Sequence, residues 1–357
     1  MPRLQVAFIG AGRIADLHIL GYRNNPDAEL VAVCALDEAV ARRRAEEWGI
    51  ARWTADAGSL FASAEVDAVE ILTPHDTHAR LTIAALEAGK HVSVQKPMAM
   101  NMKEADSMVK AAQRTGRILR VFENFRFYPP YVKAKELLAA GEIGDPISIR
   151  VKALAGHSPG AWKVPAEAWT WRFDEARSGG GPFTFDHGYH VFSIVTYFLG
   201  AVSKVFAWID YTQAAPGVAW DWRALIAWRH AASGQTGCWQ ADVTPDLLVN
   251  SKYYASDEWV EITGTLGVLW INRCSGMMLE MPSVVMYRDG QTTAYHDIET
   301  DWASSFDLCT REFTTALGEG RQPEVNPLEG AEILRFALAA QLSAREGREV
   351  TLDEVTE

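Results

Sequence analysis

The chain has 357 residues, 48% of them hydrophobic, and a formal net charge of −12. That length supports two cores, and the negative surplus excludes charge-driven affinity for nucleic acid phosphates or anionic membranes. No apolar run approaches a membrane span, "MPRLQVAFIGAG" enters a strand without a leader pattern, and Cys34, Cys238, Cys274 and Cys309 share no disulfide or metal spacing, so a reduced, cytoplasmic location is expected.

In chain order, "LQVAFIGAG" is a β-branched run closing on glycines, and "RIADLHILGYRN" follows with helical spacing up to Pro26. "AELVAVCAL" is a second strand, and "DEAVARRRAEEWG" a charged helix stopped by Gly49. The pairs "VDAVEILTP" with "DTHARLTIAALEAG", and "KHVSVQKP" with "NMKEADSMVKAAQRTG", repeat the unit before a last strand, "RILRVFEN". Strands alternating with helices of this length predict a doubly wound parallel sheet, a Rossmann layer over residues 1–123.

The pattern then changes. After the helix "YPPYVKAKELLAAG" come long alternating stretches: "PISIRVKALAG", "SKVFAWIDYT", "WDWRALIAWRH", "SGQTGCWQADVT", "EWVEITGTLGVLWINR" and "SVVMYRDGQTTAYHD". These predict antiparallel hairpins turning at "AASG", "GTLG" and "RDGQ". A helix, "PLEGAEILRFALAAQLSAREG", precedes the tail. Residues 124–357 are therefore expected to form an α+β domain around a large, mostly antiparallel, open-faced sheet.

Gly10-Ala11-Gly12-Arg13-Ile14-Ala15 is a GxGxxA turn between a predicted strand and a predicted helix. Gly10 permits the tight turn, Gly12 lets backbone approach a pyrophosphate, and Ala15 allows close helix packing. The carboxylate that normally takes the ribose hydroxyls is missing from the end of the second strand, where Ala35 stands, and Asp37 is the nearest acid. NAD and NADP both stay open. Asp37 favours NAD, and Arg42 and Arg43 read as a solvated helix face.

Three further motifs occur in order: "ILTPHDTHA", with Thr73, Pro74, His75 and His78; "VSVQKPMAM", with Gln95, Lys96 and Pro97; and "SGGGPFTFDHGYHVFSIVTYFLG", with Asp186 and His190. With the glycine turn, they resemble the family of glucose–fructose oxidoreductase, inositol dehydrogenase and MocA-like proteins, over nearly the whole chain. The resemblance implies a Rossmann domain, a second α+β domain, and NAD(P)-dependent oxidation of a secondary alcohol of a sugar, inositol or sugar-derived compound. It implies that Lys96, Asp186 and His190 line the substrate site, that Asn124 helps shape it, and that Trp171 and Arg172 lie near the cofactor. Two departures stand out: Gln95 where Glu is usual before the lysine, and Ser193 where many members have Asp.

Dehydrogenation needs a group that accepts the hydroxyl proton. His190 suits this without perturbation, and Lys96, at the carboxyl end of a parallel strand, suits it as well; either assignment stands. Asp186, four residues before His190, would share a helix face with it and orient the imidazole or bind a neighbouring hydroxyl. His75, His78 and His187 also read as ordinary polar residues, and His18 as a packing residue. No grouping has metal spacing, so no metal is expected. Thirteen tryptophans, eleven of them after residue 160, include Trp162, a candidate for the sugar face. The others on strands would build the sheet face or a subunit interface, so a homodimer or homotetramer through the open sheet is expected. Two other functions compete: redox-neutral lyase or epimerase chemistry on a retained cofactor, and a non-catalytic dinucleotide or sugar sensor.

Overall fold

A computed structural model describes residues 3–164, 168–215, 218–232 and 234–356. Residues 165–167 of the loop "GHSPGAWKVPAEAWTWRF" and Ser233 of the turn "AASG" lie outside the described residues.

The N-terminal part runs β1 (Leu4–Ile9), α1 (Ala15–His18), β2 (Ala28–Cys34), α2 (Glu38–Trp48), β3 (Arg52–Thr54), α3 (Ala57–Phe61), β4 (Ala68–Ile71), α4 (His78–Glu87), β5 (His91–Gln95), α5 (Met102–Thr115) and β6 (Leu119–Phe122). Its six strands form one parallel sheet in the order β3-β2-β1-β4-β5-β6. Strands covered on both faces are buried along their length: all four residues of β4 and of β6 are buried, including Glu70 and Arg120, which lie 3.8 Å apart. Helices α2 and α5 begin on capping side chains, Asp37 and Asn101, and stop at Gly49 and Gly116 as their spacing predicts.

The second part runs α6 (Pro129–Ala139), β7 (Pro146–His157), α7 (Glu175–Ser178), α8 (Gly188–Leu199), β8 (Val202–Ile209), β9 (Thr212–Ala215), β10 (Val218–Trp220), β11 (Ala224–His230), β12 (Thr236–Leu248), β13 (Ser256–Gly264), β14 (Gly267–Ile271), β15 (Val284–Arg288), β16 (Gln291–Tyr295), α9 (Ser304–Glu319), α10 (Pro327–Glu346) and β17 (Val350–Thr351). Nine strands build one sheet, β16-β15-β14-β13-β7-β12-β11-β8-β17, antiparallel except where β7 meets β12. One face is closed by α8 and α10, whose Phe192 and Phe336 pack on the buried Trp239 and Trp228. The other face is open and carries Trp208, 58% exposed, with Leu225, Trp259 and Trp270.

Four features differ from the sequence reading. A short βα unit, β3 and α3, extends the parallel sheet past β2. Helix α1 has only four residues and passes into a 3₁₀ turn over Ile19–Gly21, with Asn25 donating to the Gly21 carbonyl at 2.9 Å. Asp186 precedes α8 and does not share a helix face with His190. Helix α9 was overlooked, although Phe306, Cys309, Phe313 and Ala316 recur at helical spacing and Gly320 ends it. It packs back on the parallel sheet: Arg120 of β6 donates to the Cys309 carbonyl at 2.7 Å and lies over Phe313. The buried apolar cluster consequently continues from one sheet to the other.

Candidate active site

Parallel strands deliver their carboxyl ends to one edge, where such sheets bind ligands. Here that edge presents Gly10 after β1, Ala35 after β2, Thr73 after β4, Lys96 after β5 and Glu123 after β6.

The glycine turn fits a dinucleotide. Gly10 has φ +109°, and a Cβ on it would lie 2.6 Å from the Leu72 carbonyl oxygen, so only glycine fits there. A Cβ on Gly12 would meet nothing within 4 Å, which leaves open space over the turn. Ala15 is fully buried against the sheet. Among the described residues, the backbone N–H groups of Arg13 and Ile14 bond to no protein acceptor. Asp37 caps α2 through Oδ1, accepting from the Ala39 and Val40 N–H groups, while Oδ2 has no partner among the described residues. Arg42 and Arg43 are exposed and paired with Glu46 and Glu47. Arg44, which the sequence did not single out, reaches the turn itself and donates to the Ala11 carbonyl at 3.3 Å.

Between the sheets, Lys96 Nζ donates to Asp186 Oδ1 at 2.6 Å and to the Asp186 carbonyl at 2.9 Å. Arg172 Nε takes Asp186 Oδ2 at 2.8 Å, with its guanidinium stacked on Trp169 and Trp171. His75 Nε2 stands 3.7 Å from the same carboxylate, and its Nδ1–H donates to the Ser178 carbonyl. Burial pushes Asp186 up, but Lys96, Arg172 and His75 together hold its carboxyl well below the ordinary range. Burial also drives His75 down to about 3, so it is neutral near pH 7. Trp171 meets the His75 ring edge-on at 4.7 Å.

His190 is held separately. Its Nδ1 lies 2.7 and 2.9 Å from the two carboxylate oxygens of Glu123, which is fully buried, and its ring stacks on Phe125 at 4.0 Å. Burial lowers the His190 pKa to about 4, against the pull of Glu123. For Glu123 burial works upward, yet His190 and the Phe125 N–H keep it below its ordinary value. The imidazole is thus neutral, with Nδ1–H on the carboxylate and Nε2 carrying the lone pair; among the described residues Nε2 has no partner. Glu123 was missed, although it stands first beyond the register pair Gln95–Phe122, beside Lys96 on the next strand. The signal was a carboxylate directly after the run Leu119-Arg120-Val121-Phe122, on the strand next to the one that ends in Lys96.

Several expected residues also bond to neighbours within the protein. Asp186 does not orient His190. Asn124 is buried and donates its amide to Ser305 Oγ of α9 at 2.8 Å, so it braces the site from behind. Trp162 lies under Arg13 at 4.4 Å and meets Tyr253 and Tyr254 edge-on, joining the glycine turn to the segment before β13. Ser193 accepts from Arg126 Nε at 2.9 Å. Thr73 and Pro74 are tied by the Thr77 hydroxyl, and His78 spans the Thr73 and Pro97 carbonyls at 2.8 Å each, fastening two strand-end loops together.

Gln95 turns away from the Lys96 ammonium. Its Oε1 accepts the Lys96 backbone N–H at 2.8 Å, and its Nε2 donates to His18 Nε2 at 2.9 Å. His18 Nδ1–H in turn meets Glu70 Oε2 at 2.6 Å, and the Tyr22 hydroxyl donates to Glu70 Oε1 at 2.8 Å. His18 and Glu70 are both fully buried, so His18 is a link in this chain and not only a packing residue. Each buried polar side-chain atom of His18, Glu70 and Tyr22 in it has a hydrogen-bond partner, as a buried polar network requires. The Lys96–Pro97 peptide bond is cis.

The profile of the oxidoreductase family with an NAD-binding Rossmann fold matches residues 4–123, and that of the GFO/IDH/MocA C-terminal domain matches residues 131–270. The scyllo-inositol 2-dehydrogenase (NAD(+)) of Bacillus subtilis is 27% identical over 98% of this chain and 97% of its own length. The myo-inositol 2-dehydrogenase of Thermotoga maritima is 27% identical over 99% of each chain. A levoglucosan dehydrogenase solved with NADH and levoglucosan has the same fold, with a TM-score of 0.82 at 22% identity over 98% of this chain and 99% of its own. With both profiles matched, over residues 4–123 and 131–270, this chain belongs to the GFO/IDH/MocA oxidoreductase family.

Proposed function

We propose that the cleft oxidises a secondary hydroxyl of a sugar or polyol, with His190 as proton acceptor, Lys96 holding the reacting oxygen and Asp186 fixing Lys96. The observation that carries this reading is the Glu123–His190 pair, which fixes the tautomer with a lone pair on Nε2. Bound nicotinamide dinucleotide supplies the hydride acceptor. Lys96 keeps one of its three N–H donors free of Asp186 to bond the substrate oxygen as negative charge develops on it. His190 takes the hydroxyl proton at Nε2, and Glu123 stabilises the imidazolium that results. His75 and Arg172 flank Asp186, with Trp171 packed edge-on against His75.

NAD is favoured over NADP, because Arg42 and Arg43 are engaged with Glu46 and Glu47 while Asp37 retains a free carboxylate oxygen toward a ribose hydroxyl. The divide between cofactor and substrate domains is placed at residues 123/124. The open sheet face, with Trp208, Leu225, Trp259 and Trp270, supports a homodimer or homotetramer, and four free cysteines support a reducing, cytoplasmic compartment. No helix among the described residues is long and apolar enough to cross a membrane.

A panel of sugars and polyols run with NAD and NADP, followed by the absorbance of reduced nicotinamide, tests the reading. Turnover of at least one member that falls by about 100-fold or more in His190→Asn, with cofactor affinity kept, is the expected result. Equal turnover in wild type and variant would overturn the role given to His190.

A further inference from the structure

Beside His190 stands a second imidazole–carboxylate pair that the chemistry above does not use. His187, the residue before α8, directs Nε2 at Glu258 Oε2 of β13, 3.1 Å away. Glu258 is buried, and its other oxygen accepts the Tyr131 hydroxyl at 2.8 Å. His187 is not buried like its partner: its side chain is 24% exposed, and among the described residues Nδ1 has no hydrogen-bond partner. Its ring centre lies 5.8 Å from that of His190, with Trp222 and Trp239 on its flanks at 6.0 and 6.3 Å.

The two pairs are wired through opposite ring nitrogens. Glu123 takes Nδ1–H of His190 and leaves Nε2 open, whereas Glu258 takes Nε2–H of His187 and leaves Nδ1 open. Taking a carboxylate out of water costs several kcal/mol unless its partners repay it. Anchoring α8 to the sheet would not need a carboxylate, since a neutral acceptor would hold the same N–H. What the charge adds is a stronger acceptor at the free nitrogen and a single tautomer. Oxidation of one hydroxyl needs one proton acceptor, so a second polarised acceptor beside it has a different task.

We propose that His187, set by Glu258, accepts a hydrogen bond from the hydroxyl on the carbon next to the one oxidised, so that the enzyme selects vicinal diols. This rests on the oxidoreductase reading and narrows its substrate class. A site built to hydrogen-bond a hydroxyl rejects an analogue lacking it, because its polar group is left without a partner.

The test uses the full-length enzyme loaded with NAD. From myo-inositol, D-glucose and levoglucosan, the compound with the highest kcat/KM is compared with its monodeoxy derivatives at the carbons flanking the oxidised one. Wild type should prefer the parent over one flanking deoxy compound by on the order of 100-fold. In His187→Ala, and separately in Glu258→Gln, that ratio should fall below about 5-fold. A ratio retained in both variants means that the pair only supports the fold, and overturns the proposal, as does a wild type that does not discriminate. If wild type oxidises none of the three, the dehydrogenase reading fails, and saturation-transfer NMR of the same compounds decides the subsite alone. Contact seen in wild type and lost in His187→Ala supports it; equal or absent contact overturns it.

Discussion

The ends of β5 and β6 are neighbours on one sheet edge, yet they are built in opposite ways. Lys96 leaves its strand partly exposed and is met by Asp186 from a segment 90 residues away. Glu123 leaves its strand fully buried and bonds inward to His190 and to the Phe125 N–H. In the proposed reaction the first end contacts substrate, while the second acts through the imidazole it holds. Neighbouring strand ends thus present a partly exposed ammonium or a buried carboxylate, depending on what packs over them.

The largest effect expected is at the contacting end. Lys96→Met should lower kcat by about 1,000-fold or more, because the oxygen loses its donor and Asp186 its nearest cation; steady-state kinetics alongside an NADH-binding titration will show it. At the positioning end, Glu123→Gln keeps an acceptor for Nδ1–H but not its charge. It should cost about 10- to 100-fold in kcat with a smaller change in KM. Equal losses at the two ends would erase the distinction between them.

A smaller effect, on stability, is expected one residue before Lys96. Gln95→Glu removes the N–H that His18 Nε2 accepts and brings a charged acceptor to an accepting nitrogen. We expect a loss of about 1–3 kcal/mol in urea unfolding, larger than the kinetic effect. Smallest near neutrality is the pH dependence of stability. His75 and His190 are driven by burial from the ordinary 6.5 to about 3 and about 4. Between those values and 6.5 the unfolded chain binds more protons, so stability is full above pH 6.5 and falls as pH drops toward 4. A melting temperature that falls across that window in wild type, and less steeply in His190→Asn, is the expected outcome.

Much of this was legible beforehand. Alternating units gave the parallel sheet, and short-period alternation gave the large one, because strand and helix burial leave distinct spacings. Lys96 stood out because a polar pair and a proline end an apolar strand. Glu123 did not, since a single acid after "RVF" looks like any solvated strand end until α8 covers it. The partnership of Asp186 with Lys96, in place of His190, depends on a contact 90 residues distant that local spacing does not encode. The contact that claims the Asn124 amide, Ser305 of α9, lies 181 residues away and is equally outside the reach of local spacing.

The pH dependence of kcat/KM from 8 to 4, measured in wild type and Glu123→Gln, tests the central claim most directly, because kcat/KM reports the free enzyme's essential groups. The account predicts a profile flat through neutrality, with an acid limb in wild type near about 4 where His190 takes up its proton. In the variant that limb should move lower, since Glu123 is what raises the His190 value against burial. An acid limb near 6.5 in wild type, or one that ignores the Glu123 substitution, would contradict the assignment of the buried Glu123–His190 pair as the proton acceptor.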